Sequence, residues 1–250
     1  MKNNDVCHLH FLIATLVLAL LLFLLITQSE SAEVIKYPAG VPDERAAVET
    51  LIDQFDSKDV VVTQHPVMEI PVYIPAFVVH ARACAKLDGA LEPLIEMLAG
   101  GTLQSRVAAG VALKEIGADA IAASSVLRDM LGGTTQEKRL AAGVIEGIGR
   151  EASSLIHCLT PNLYSRDFHT QYWTCRALAS IGPGACEAIP DLCYLVEYGV
   201  ASVRKNACLA LGSVSPGTDM ESLALLTLEK ASSDFSFPVR QAAEKALGNF

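Results

Sequence analysis

Aromatic side chains are scarce in this sequence. They make up 6% of its 250 residues, with a single tryptophan. A core of any size must therefore come from aliphatic and small residues, which the 51% hydrophobic content supplies. Positive charge is also short: 19 Lys and Arg stand against 28 Asp and Glu, a net charge of −9. That balance argues against nucleic-acid binding, which needs clustered cations to displace counterions from phosphates. Catalytic signatures are missing too. The chain has no HExxH, CxxC, CxxCH, GxSxG, P-loop or GxGxxG pattern. No catalytic residue, metal ligand set or cofactor site is assigned on that basis.

One long apolar run is present. FLIATLVLALLLFLLI (Phe11–Ile26) carries no charge and is followed by the polar TQSESAE. A helix of that length spans roughly 24 Å, short of a bilayer core of ~30 Å. Ser29 and Ser31 occupy the small-residue positions for cleavage before Ala32. Residues 1–32 thus read as a signal peptide or, uncleaved, a signal anchor. The remainder is expected to be exported: periplasmic, secreted, or membrane-anchored and facing away from the cytoplasm. Any membrane association would run through this segment alone.

What dominates the rest is repetition. ALASIGPGA (Ala177–Ala185) returns as ALGSVSPGT (Ala210–Thr218). Anchored on the second residue of each pair, the pattern recurs at Leu113, Ile145, Leu178, Leu211 and Leu247. A basic residue often stands seven before the anchor: Arg106, Arg204 and Arg240, with Arg139 aligning after a one-residue gap. Val203, Ala207, Ala210, Leu211 and Val214 follow the spacing of one buried helical face. Gly-Pro-Gly after that helix is a stop, and Pro190 falls near the start of the next helix. Each unit is therefore helix–turn–helix of about 33 residues. Such a unit cannot bury its own apolar face, so units must stack.

The segments VRKNACLALGSVSPG, VRQAAEKALG, SRVAAGVALKEIG and ALASIGPGACEAIPDL resemble the HEAT family in its short form, the phycobilisome-lyase-type repeats. The resemblance covers about five units over Gly89–Phe250. It implies an all-α solenoid whose second helices line the concave, binding surface. HEAT-type deoxyhypusine hydroxylase carries His-Glu pairs for a di-iron site, and this chain contains no His-Glu dipeptide.

Upstream, residues 33–76 read as an N-terminal arm and 77–250 as the repeat domain. In the arm, Asp43–Phe55 has an amphipathic helical pattern. Val60–Pro75, broken by Pro66, Pro71 and Pro75, should be extended. Phe77–Leu87 fits the second helix of a degenerate opening repeat.

In the second helix of repeat three, Thr170, Thr174, Ala177, Leu178 and Ile181 form the buried set. His169, Tyr172 and Arg176 then point outward, with Trp173 on the flank. These residue types dominate binding hot spots, so His169, Tyr172, Trp173 and Arg176 are the candidate partner contacts. The alternative is that Tyr172 and Trp173 pack on a neighbouring repeat or loop. The equivalent outward column reads Val107/Val111, Leu140/Val144, Tyr172/Arg176, Lys205/Leu209 and Gln241/Lys245. Its apolar start suggests that the Val60–Pro75 arm folds over repeats one and two; the alternative is that a partner peptide binds there.

Six cysteines follow the apolar run. Cys175 and Cys208 share a column on successive helices about 8–10 Å apart, too far for a disulfide. Cys158 with Cys193 is the least improbable pair. His80 and Cys84 share a helix face, but two ligands do not make a site.

The favoured function is an exported scaffold or adaptor that binds another protein along the groove. Two rivals stay open. One is a lyase-like protein handling a tetrapyrrole or related ligand. The other is a structural envelope component that self-associates through its C-terminal repeat.

Overall fold

The computed structural model describes residues 44–53, 60–64 and 71–250. The apolar segment Phe11–Ile26 and the residues proposed for cleavage lie outside the described residues. So does Pro66.

Helix α1 (Glu44–Asp53) leads to an antiparallel pair, β1 (Val60–Gln64) and β2 (Pro71–Pro75), with Val60 opposite Pro75 and Gln64 opposite Pro71. Both strands are edges, the setting that tolerates the missing N–H of Pro71 and Pro75. Helix α2 (Ala76–Cys84) follows, packing on α1 and on both strands.

Five helical pairs then stack. They are α3 (Leu91–Gly100) with α4 (Leu103–Ile116), and α5 (Ser124–Gly132) with α6 (Thr135–Ile148). Next come α7 (Ile156–Leu159) with α8 (Phe168–Ile181), α9 (Ile189–Tyr198) with α10 (Ala201–Val214), and α11 (Glu221–Ala231) with α12 (Phe237–Leu247). The result is an α-solenoid of helix–turn–helix units, as the periodicity requires. The second helices α4, α6, α8, α10 and α12 pack on one another in series, and α2 continues that layer beneath α4. Hence the packed stack begins upstream of Gly89.

Burial follows the helical spacing. Val203, Ala207, Ala210, Leu211 and Val214 are all inaccessible, as are Thr170, Thr174, Ala177 and Leu178. Buried Thr174 costs little because its hydroxyl donates to the Thr170 carbonyl one turn back, at 2.8 Å.

Helix ends differ from expectation in one respect. After each of α4, α6 and α8 the chain turns at a glycine, then runs through 3₁₀ turns (Gly117–Ala123, Gly149–Leu155, Gly182–Ala188) before the next first helix. Gly182 sits at φ +74°, ψ −146°, a region open essentially to glycine alone. The α-helical part of repeat four's first helix therefore starts at Ile189 rather than Ala185, with Pro190 in its first turn. In repeat three the first helix is cut to one turn, and Pro161 lies in the 3₁₀ stretch Thr160–Tyr164 that replaces the rest.

Repeat two corrects the outward column. α4, α6, α8 and α10 all have 14 residues, so no one-residue gap is needed. In that register Val107, Tyr172, Lys205 and Gln241 align with Arg139, not Leu140. Val144 is fully buried in the stack, and Leu140 turns inward onto Gly110 of α4. A Cβ added at Gly143 would meet open space, which marks Arg139/Gly143 as the outward pair. The apolar column that called for a covering arm is thus shorter than it looked. The strand pair lies against α2.

An ion-pair ladder ties the repeats together. Arg106 donates to Glu137, Arg139 to both oxygens of Asp167, and Arg204 to both oxygens of Asp234. Each acid is in the next repeat and also serves a helix start. Glu137 closes a capping box with Thr134, Asp167 accepts from the Thr170 N–H, and Asp234 from the Ser236 N–H. Glu137 and Asp167 thereby help cap their own helices and fasten the preceding repeat, while Asp234 holds the residue that precedes α12.

That double use sets an acid dependence. Hydrogen bonds from Thr134 and Arg106 lower Glu137 from 4.5 to about 2. The paired Arg139 lowers Asp167, and Arg204 lowers Asp234. A carboxylate depressed in the folded state stabilises it above the ordinary pKa, and that contribution disappears as pH falls through the folded value. The urea midpoint is expected to be level from pH 7 to about 5 and to fall between pH 4.5 and 2. Glu137→Gln should flatten that fall, and an unchanged pH profile in the variant would contradict the assignment.

Candidate functional site

The second-helix face brings together three of the four residues singled out in α8. The Arg176 guanidinium donates to the Tyr172 hydroxyl at 2.8 Å and to Glu146 of α6 at 2.9 Å. Its centre lies 5.1 Å from the Trp173 ring and 5.6 Å from the Tyr172 ring. Tyr172 and Trp173 meet edge to face with centroids 5.4 Å apart. From the other side, Lys114 of α4 donates to Glu146 at 2.9 Å and sits 5.5 Å from the Trp173 ring. Three consecutive second helices therefore contribute to one cluster.

Trp173 packs against the core as well as flanking the cluster, and Tyr172 is half-buried. Arg176 keeps 36% of its side chain exposed although doubly bonded, while Glu146 keeps 16%. Hydrogen bonds to Tyr172 and Glu146 and the nearby Glu146 charge raise the Arg176 pKa against the opposing effect of burial. The cluster is preorganised, since each side chain is already held by two others.

His169 stands apart. It lies in the first turn of α8, exposed, with its ring 4.1 Å from Phe168 and Nδ1 3.8 Å from Asp167. Lys114 and Glu146 were not singled out from the sequence. Their signal was positional: each lies three residues beyond an outward position of its own helix, Val111 and Gly143.

Among the described residues, no three His, Cys, Asp or Glu side chains converge as a metal site, so His80 and Cys84 gain no third ligand. The six described cysteines are free thiols. Burial pushes Cys84 up to about 11 and Cys208 up to about 12, and raises Cys175 further, which makes them poor nucleophiles. Cys193 is hydrogen-bonded to Thr227 in α11. No described helix is long and apolar enough to cross a membrane.

No protein-family model matches the chain, and no curated protein matches it in sequence. Solved structures do share its fold. A designed armadillo repeat protein in complex with the peptide (KR)4 has a TM-score of 0.58 at 19% identity, over 84% of this chain and 95% of that one. An engineered protein has a TM-score of 0.56 at 21% identity, over 81% and 97%. Computationally designed armadillo repeat proteins for modular peptide recognition give 0.53 at 20% identity, over 81% and 99%. The chain is an all-α solenoid similar in fold to armadillo repeat proteins.

Proposed function

We propose that the chain is an exported scaffold that binds a segment of another protein across its second-helix face. The observation that carries this is the Tyr172–Trp173–Arg176 cluster: partly exposed, rigidly held, and made of the residue types that concentrate binding energy. The fold likeness supports it, since one neighbour is described in complex with a peptide and another as built for peptide recognition. Export rests on the Phe11–Ile26 segment and the small residues after it. His169 would border the contact one turn before Tyr172.

The test is affinity capture from the native envelope or secreted fraction, with the full chain as bait. It runs beside a Tyr172→Ala/Trp173→Ala/Arg176→Ala variant whose helical circular dichroism matches the parent. A partner held by the parent is expected to bind the variant at least about 30-fold more weakly, the scale of losing one hot spot of ~2 kcal/mol. Equal capture by both would refute the placement of the site.

A further inference from the structure

We infer that the docked segment is an extended, acidic peptide. This rests on the scaffold reading above and specifies its partner. Each of the five second helices sets one cation on or beside the outward column: Lys114 on α4, Arg139 on α6, already held by Asp167, Arg176 on α8, Lys205 on α10 and Lys245 on α12. All five are at least partly exposed. Two of them share one carboxylate, Glu146, so that pairing leaves a net positive charge beside the Trp173 ring.

Charge is sorted between the two layers. The second helices α4 to α12, with Asp167 and Asp234 at the starts of α8 and α12, carry nine Lys and Arg against six Asp and Glu. The first helices α3, α5, α9 and α11 carry seven Asp and Glu against Arg128 and Lys230. A chain of net charge −9 thus presents a positive face on the side that holds its aromatic cluster. Complementary potential of this kind selects the sign of a partner.

Spacing selects its form. Packed helices lie about 8–10 Å apart, and an extended chain rises about 3.3 Å per residue. One cation per helix therefore meets an acidic residue at every second or third position of a peptide lying along the stack. A nucleic-acid strand is disfavoured instead by the net charge of −9 and by the lack of clustered cations.

The experiment pans a random peptide display library on the immobilised full chain. Fluorescence anisotropy with the peptides (DE)4 and (KR)4 then follows at about 50 and 200 mM NaCl. Recovered peptides should be enriched in Asp and Glu. (DE)4 should bind at least about tenfold more tightly than (KR)4 and weaken with salt. Lys205→Glu/Lys245→Glu should cut (DE)4 binding by a similar factor with helical circular dichroism matching the parent, and Lys245→Glu alone should cut it by less. Recovered peptides lacking acidic enrichment, or (KR)4 binding as well as (DE)4, would overturn the acidic partner and leave the scaffold standing. Recovery of no peptide would overturn both. Displacement of (DE)4 by single-stranded oligothymidine at equal concentration would replace the peptide with a general polyanion and overturn the inference.

Discussion

Replacing Arg204 with alanine is expected to lower the unfolding free energy by about 3–5 kcal/mol, the usual cost of removing one partner of a buried ion pair. Arg204 and Asp234 keep only 8% and 12% of their side chains exposed. The guanidinium donates two parallel bonds to Asp234 at 2.8 Å and a third to the Gly199 carbonyl at 2.9 Å. The Phe235 ring lies 4.5 Å from the guanidinium centre. Without Arg204, the Asp234 carboxylate stays mostly buried without its bidentate partner, left with the Ser236 N–H and the nearby Arg240 charge, and the Gly199 carbonyl after α9 loses a donor. Arg106→Ala supplies the contrast. It makes the same kind of bond to Glu137, but the two side chains are 20% and 27% exposed. Solvent screening should hold that loss to about 1 kcal/mol. Replacing both partners, as Arg204→Met/Asp234→Leu, should recover most of the stability, because no charge is then left behind. Urea titrations of the three variants check this. A loss at Arg204 no larger than at Arg106 would mean that burial does not govern the ladder.

That ladder also shows how far the sequence could be read. The anchor column from Leu113 to Leu247 and the buried face of each second helix were legible, because helical period and small residues dictate both. So was the glycine stop, because few residues accept a positive φ. The basic residue seven before the anchor was visible as a pattern, but its partners were not. Glu137, Asp167 and Asp234 lie 28 to 31 positions away in the next repeat, and only the stacking brings them into reach. Repeat two was misaligned for a related reason. In the sequence Arg139 matches Arg106 only across a one-residue gap. The helix has no extra residue. Arg139 sits one place later in its helix, reaches Asp167 from there, and so occupies the outward column itself. At the site, Tyr172 and Arg176 were legible from helical geometry within α8. Lys114 and Glu146 were not, since they join the cluster only through the packing of α4 and α6 against α8. For His169 the helical wheel gives an exposed direction, but not its ring contact with Phe168, and two turns of α8 separate it from Arg176.

Two glycines four residues apart on α6 should answer the same substitution with opposite signs. Gly143 faces open space, and a Cβ there would meet nothing within 4 Å. Gly143→Ala therefore keeps every contact and removes the entropic penalty of glycine inside a helix. It should stabilise by about 0.5–1 kcal/mol. Gly147 faces α4, where a Cβ would lie 2.7 Å from the Lys114 Cα and closer still to the Lys114 carbonyl oxygen. Those are backbone atoms and cannot rotate away. Gly147→Ala gains the same propensity but must push α6 off α4, an overpacking cost of about 1–3 kcal/mol or more. The net effect should be destabilising, and the strain falls at the point where Lys114 reaches Glu146. The second-helix face would then loosen as well, so Gly147→Ala should weaken the binding proposed at Tyr172 and Arg176 although it touches neither residue. Gly143→Ala should leave that contact intact. Paired thermal unfolding and binding measurements on the two variants decide the matter. If both stabilise, the close approach of α6 to α4 is not a constraint on the stack. If Gly147→Ala destabilises yet binds as the parent does, the Lys114–Glu146 support is not what holds the cluster in place.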